Sequence, residues 1–187
     1  MIGLNITMFV FELGAGLLGG SMALQADALD FLGDSLTYAL TLLVIGRPLR
    51  LRAQAAIFKS LTLALLGLWV LGATIYRVFV LGDPDPLVMG GVGTLALIVN
   101  LACALLLLRY RNGDANVRSV WLCSRNDAIG NLAVLLAATG VFASGTPWPD
   151  LLVAGAMAML FLSGSIAILR QALAELRSLT PQTVAAE

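Results

Sequence analysis

The sequence predicts an all-α integral membrane protein, a bundle of six transmembrane helices, and three observations predict it. Of its 187 residues 59% are hydrophobic and only 12% are charged, about half the charge fraction of an ordinary soluble domain. The apolar residues fall into six runs, each close to the roughly 20 residues that a helix needs to cross a bilayer. Polar or Gly/Pro-rich breaks separate the runs. The predicted spans lie near 1–19, 23–46, 54–80, 87–108, 118–143 and 149–174, one transmembrane domain over 1–176. Residues 177–187 read as a short cytoplasmic tail, with no cytoplasmic C-terminal domain expected after it.

The elements are justified in order. The first stretch lacks a basic n-region and carries Glu12 in its middle, so it reads as a membrane helix and not as a cleavable signal. Gly19-Gly20-Ser21 turns the chain into the second span. The stretch from Arg47 to Arg52, with Pro48 inside it, separates the second and third. Gly82-Asp83-Pro84-Asp85-Pro86 is an acidic turn before the fourth. Residues 109–117 are polar, and Ser144 to Pro149 forms a Gly/Pro loop before the sixth.

Basic residues set the orientation. Arg47, Arg50, Arg52 and Lys59 cluster around the second connection, Arg109, Arg111 and Arg118 around the fourth, and Arg170 and Arg177 near the end. Both termini are therefore expected in the cytoplasm of a bacterial inner membrane. The connections holding Asp83, Asp85 and Asp150 face outward, with Trp148 as an interfacial anchor.

Composition excludes several functions. Eleven basic and eleven acidic residues leave a net charge of zero, so no nucleic-acid footprint exists. The chain has no histidine. Cys103 and Cys123 both sit in apolar surroundings, which argues against a disulfide framework. No nucleophile–base pair, phosphate loop or cofactor fingerprint is present, so neither an enzyme nor a permanently bound cofactor is expected.

The informative residues are the polar ones inside the spans. An ionised side chain at the bilayer centre costs roughly 2.5–3.5 kcal/mol on insertion scales. Asp30, Asp34 and Asp127 together would oppose insertion by roughly 8–10 kcal/mol if all faced lipid. They must face the bundle interior or water. Asp30 and Asp34 stand at i and i+4 and share one face of the second helix. Two like charges at that spacing need a cation between them or a proton on one. On the fifth helix Cys123, Asp127 and Asn131 follow the same rule. Two helices that each offer a pair of ligands can converge on one tetrahedral ion, and carboxylate with thiolate suits zinc. The blander reading is that these acids are protonated and only bond neighbouring helices. Cys123 alone reads equally as a small hydrophobe, and Cys103 as packing.

Weaker candidates for a second shell or a pathway are Asn131, Asn100, Asp27, Glu12 and Asn5. Asn5 and Asn100 read also as plain helix–helix bonds. Glu12 and Asp27 are expected to line an outward aqueous vestibule or to sit near the interface. Asn126 is turned about 100° from Asp127 and is left out of the shell, and Arg125 is expected to snorkel toward the headgroups. Gly67, Gly72, Gly155 and Gly164 are expected to allow close helix packing or to mark a dimer face.

The stretch from Ser21 to Ser35, with Asp30 and Asp34, resembles the second-helix signature of the cation diffusion facilitators. The stretch from Cys123 to Asn131, with Asp127, resembles their fifth-helix signature. Asn5, Glu12 and Asn100 fall where such proteins carry polar residues. The resemblance implies a six-helix bundle, a homodimer that here forms through the membrane helices, and export of zinc, cadmium or related ions in exchange for protons. It implies a transport site of Asp30, Asp34, Cys123 and Asp127, with the divalent ion as substrate. Where many members carry His or Asp, this chain has Cys123, and its connection at 109–117 lacks histidines. The readings held against a transporter are an uncoupled metal channel and a non-transporting membrane scaffold.

Overall fold

The computed structural model describes residues 1–80, 82–108 and 115–184, and for residues 107, 115–126 and 179–184 it describes the backbone alone. Among the described residues the elements are α1 Ile2–Leu18, α2 Met22–Val44, α3 Leu49–Phe79, α4 Pro86–Leu107, α5 Ala115–Ser144 and α6 Trp148–Val184, with no strand. Each predicted span has its helix. The spans within Leu49–Phe79, Pro86–Leu106, Asp127–Ser144 and Trp148–Ser178 are long and apolar enough to cross a membrane. α1 is apolar but has 17 residues. α2 is interrupted by Asp27, Asp30 and Asp34, acids that other helices must cover.

Three helices run more than two residues beyond the predicted spans, α5 by the three residues from Ala115 and two others further. α3 starts at Leu49, so Arg50 and Arg52 lie on its first turn and not in a loop. α6 continues to Val184, through residues read as a tail. Apolarity marks where the bilayer ends, whereas Leu, Arg, Gln and Glu all sustain a helix in water. At 1.5 Å per residue, the 37 residues of α6 reach well past the roughly 30 Å hydrocarbon layer.

Burial is inverted relative to a soluble protein. Leu18, Phe79, Leu106 and Phe142 are exposed, while Asn5, Glu12, Gln25, Asp27, Asn100 and Asn131 are buried. A surface of large apolar side chains around a polar interior is the pattern lipid demands. α2 is the hub: it touches all five other helices, while α3 packs chiefly on α6, α4 on α5 and α1 on α2. Close approach needs small residues. A Cβ on Gly67 would lie 3.0 Å from Phe161 Cβ, and one on Gly16 would lie 3.0 Å from Gln25 Cγ. Of the other flagged glycines, Gly164 would meet Leu63 at an ordinary 3.6 Å, and Gly72 and Gly155 would meet nothing within 4 Å.

The tight core occupies one half of the bundle. Ala23, Leu24, Ala26 and Leu29 of α2 pack with Val70, Met89, Val134, Val141, Met157 and Phe161. All belong to the helix halves nearest the acidic turns. The chain is locked there by polar contacts. Ser21 caps α2 by accepting from Leu24 N at 3.0 Å. Asp150 accepts from Ser21 Oγ at 2.6 Å, Met22 N at 2.7 Å and Ala23 N at 3.0 Å. Arg77 donates to Gly20 O at 3.0 Å, and Gly20 takes the positive φ of +65° that this turn requires. Asp150, expected to face outward from a loop, is instead 1% exposed. The unpaired N–H groups at the start of α2 attract a carboxylate.

Candidate functional site

The half of the bundle near the basic residues is open. A cavity of about 370 Å³ enters between α2, α3, α5 and α6, and its lining includes Asp30, Asp34, Lys59, Asp127 and Phe161. A second cavity, of about 560 Å³, adjoins it through Thr37, Leu40, Lys59 and Ile168. It runs on to Gly46, Arg52 and Glu175, beside the α2–α3 turn. The two form a passage from the basic end of the bundle to the acids at mid-helix, with Phe161 and Met157 of the core at its closed end.

The sequence delivers three carboxylates to this passage by simple helical geometry. Asp30 and Asp34 stand one turn apart on α2, and Asp127 reaches both of them from α5. Tyr38, one turn further on, donates from its hydroxyl to Asp34 Oδ2 at 2.8 Å. All three acids are half-buried. Among the described residues Lys59 is the only basic side chain in the lining of the deeper cavity, where three acids are gathered. Among the described residues no three His, Cys, Asp or Glu side chains are drawn together tightly enough to hold a metal ion. The side chain of Cys123 lies outside the described residues, as do those of Arg125 and Asn126. Cys103 is buried on α4, away from the passage.

The weaker candidates form a separate layer. Asn100 Nδ2 donates to Asn131 Oδ1 at 2.9 Å, and Asn131 Nδ2 donates to Asp27 Oδ2. Glu12 faces Asp27 from α1. Glu12 and Asp27 are 0% and 1% exposed, so they line no outward vestibule and lie at no interface. α1 and α5 cover the polar face of α2, which hydropathy cannot show. Asn131 thus supports Asp27 and not the acids of the passage. Asn5 is buried on α1 two turns before Glu12.

Sequence reasoning missed Lys59 as a lining residue and Asp150 as a cap. Lys59 had a signal, being a lone base ten residues inside an apolar helix. Asp150 had none, because a cap across 128 residues leaves no mark in local spacing.

Comparison with known proteins follows the same lines. The model of the cation efflux transmembrane domain matches residues 1–177. The chain is 28% identical to the zinc transporter ZitB of Pectobacterium atrosepticum, over 98% of this chain and 62% of that protein. It is 25% identical to the cadmium, cobalt and zinc/H(+)-K(+) antiporter of Bacillus subtilis, over 94% of this chain and 61% of that protein. It is 27% identical to the metal cation efflux system protein CzcD of Cupriavidus metallidurans, over 82% and 52%. The chain therefore spans about half to three-fifths of the length of these relatives. With its apolar helices and bacterial relatives, it is a multi-pass integral protein of the bacterial plasma membrane, and it belongs to the cation efflux family through its transmembrane domain.

Proposed function

We propose that this chain exports divalent transition-metal ions, zinc foremost, from the cytoplasm in exchange for protons by alternating access. The observation that carries this reading is the passage that opens at the basic, cytoplasmic end and stops at Asp30, Asp34 and Asp127. Phe161 and Met157 of the outer core line its deep end, which supports reading it as inward-open. The names of the relatives, which specify zinc, cadmium and cobalt, support the ion class.

We assign Asp30, Asp34 and Asp127 as ligands of the ion, with Cys123 as the fourth that the family signature implies. Each ligand must lose its proton to bind metal, so loading releases protons and protons unload the ion. Asp34 is oriented by Tyr38. Lys59 neutralises part of the acid charge before the ion arrives. Outward release requires the core around Phe161 and Met157 to part while the Thr37–Lys59 side closes. A homodimer formed through the membrane helices completes the proposal, with Gly72 and Gly155 as small residues on open helix faces.

Calorimetric titration of the purified chain with zinc tests the site. Wild type should bind, and Asp127→Asn should weaken binding at least about 100-fold, a loss of about 2.7 kcal/mol. Equal affinities would remove Asp127 from the site.

A further inference from the structure

One turn outward of the passage lies a polar layer that the transport site does not use. Glu12 of α1, Asp27 of α2, Asn100 of α4 and Asn131 of α5 meet there, 0%, 1%, 4% and 0% exposed. The amides donate in one direction, Asn100 to Asn131 and Asn131 to Asp27. Their donors end on one oxygen of the Asp27 carboxylate. Opposite it, Glu12 Oε1 and Oε2 are sealed from solvent and, among the described residues, accept no hydrogen bond. Two carboxylates that face one another repel when both are ionised. A buried pair in that condition needs a proton on one carboxyl or a cation shared between the two.

We propose that Glu12 and Asp27, with Asn131 and Asn100 behind them, form a second binding site for a divalent metal ion, on the outward leg of the route. The inference rests on the transport reading above. The layer is displaced from the inner acids by three residues on α2 and four on α5. At 1.5 Å per residue this is a step of about 4.5–6 Å toward the outer surface. An ion moving outward from Asp30, Asp34 and Asp127 between α2 and α5 would meet Asp27, with Glu12 facing it, next. The donor set is all oxygen, from carboxylates and side-chain amides. Such a set binds zinc, cobalt or manganese without the thiolate that selects soft ions. An exit site with fewer and harder ligands than the loading site holds the ion more weakly, which lets it leave.

The test uses the purified full chain and zinc alone, counted by equilibrium dialysis. In Asp127→Asn the inner site is disabled, and a weaker class of zinc binding should persist. Adding Glu12→Gln or Asp27→Asn to that variant should reduce the remaining affinity at least tenfold, while circular dichroism shows unchanged helix content. Remaining binding that neither substitution alters would overturn the second site. So would the complete absence of zinc from Asp127→Asn beside a wild type that binds it, and that result would leave the transport reading intact. Failure of wild type to bind zinc would refute the transport reading and the second site together.

Discussion

Replacing Asp150 probes how α2 is held at its outer end. Its carboxylate takes three donors, Ser21 Oγ at 2.6 Å, Met22 N at 2.7 Å and Ala23 N at 3.0 Å, at 1% exposure. Met22 and Ala23 open α2, so their N–H groups have no partner within the helix. Loss of a helix cap costs about 1 kcal/mol. Hydrogen bonds to a charged group are worth about 1.5–3 kcal/mol each, and stranded buried donors add about 1–3 kcal/mol. These contributions overlap, and Asp150→Ala should lose about 3–5 kcal/mol in all. Asp150→Asn keeps one acceptor oxygen but loses the charge, and should lose about 1–2 kcal/mol. At 2–4 °C per kcal/mol for a chain of this size, Ala lowers the melting temperature by about 10 °C and Asn by about 4 °C. Thermal unfolding followed by circular dichroism in one detergent measures both. An alanine variant within about 2 °C of wild type, or an asparagine variant less stable than alanine, would refute this account of the outer seal.

The remaining predictions concern packing and protons. Gly67→Ala should destabilise the α3–α6 seam by about 1–3 kcal/mol, because its Cβ would meet Phe161 Cβ at 3.0 Å. Gly91→Ala, whose Cβ would meet nothing within 4 Å, should gain up to about 1 kcal/mol from helix propensity, and parallel melting curves compare the two. Zinc affinity should fall as pH falls from about 8 to about 5.5, tenfold per pH unit for each proton that the ion displaces from the carboxylates. Calorimetric titrations across that range check the slope, and a flat profile contradicts proton coupling.

The fold was legible because lipid imposes its own code. Six apolar runs with Gly/Pro breaks give six helices, and the helix ends at Leu49, Ala115 and Val184 depart from the expected spans by more than two residues. Apolar content measures the bilayer, not the helix. The inner site was legible in part, since the i, i+4 spacing of Asp30 and Asp34 fixes their shared face whatever surrounds them. Helix spacing does not say which neighbour a face meets. Asn131 lies one turn from Asp127, yet its amide serves Asp27, because α4 brings Asn100 against it. Glu12 looked like an interfacial residue because nothing in α1 shows that α2 covers it. Asp150 bonds Met22 across 128 residues, a distance no local pattern encodes. The polar residues announced themselves by being costly in lipid, while their partners belonged to the tertiary arrangement.

Metal flux in reconstituted vesicles tests the central claim most directly. The full chain is placed in liposomes that hold a zinc-sensitive dye, and zinc entry is recorded with and without an imposed pH gradient, beside Asp127→Ala and Cys123→Ser. The account predicts zinc flux that follows the gradient and disappears in Asp127→Ala, with Cys123→Ser shifting the preference among zinc, cadmium and cobalt. No flux above empty liposomes for any of these ions would contradict it and leave Asp30, Asp34 and Asp127 as structural acids of a membrane scaffold.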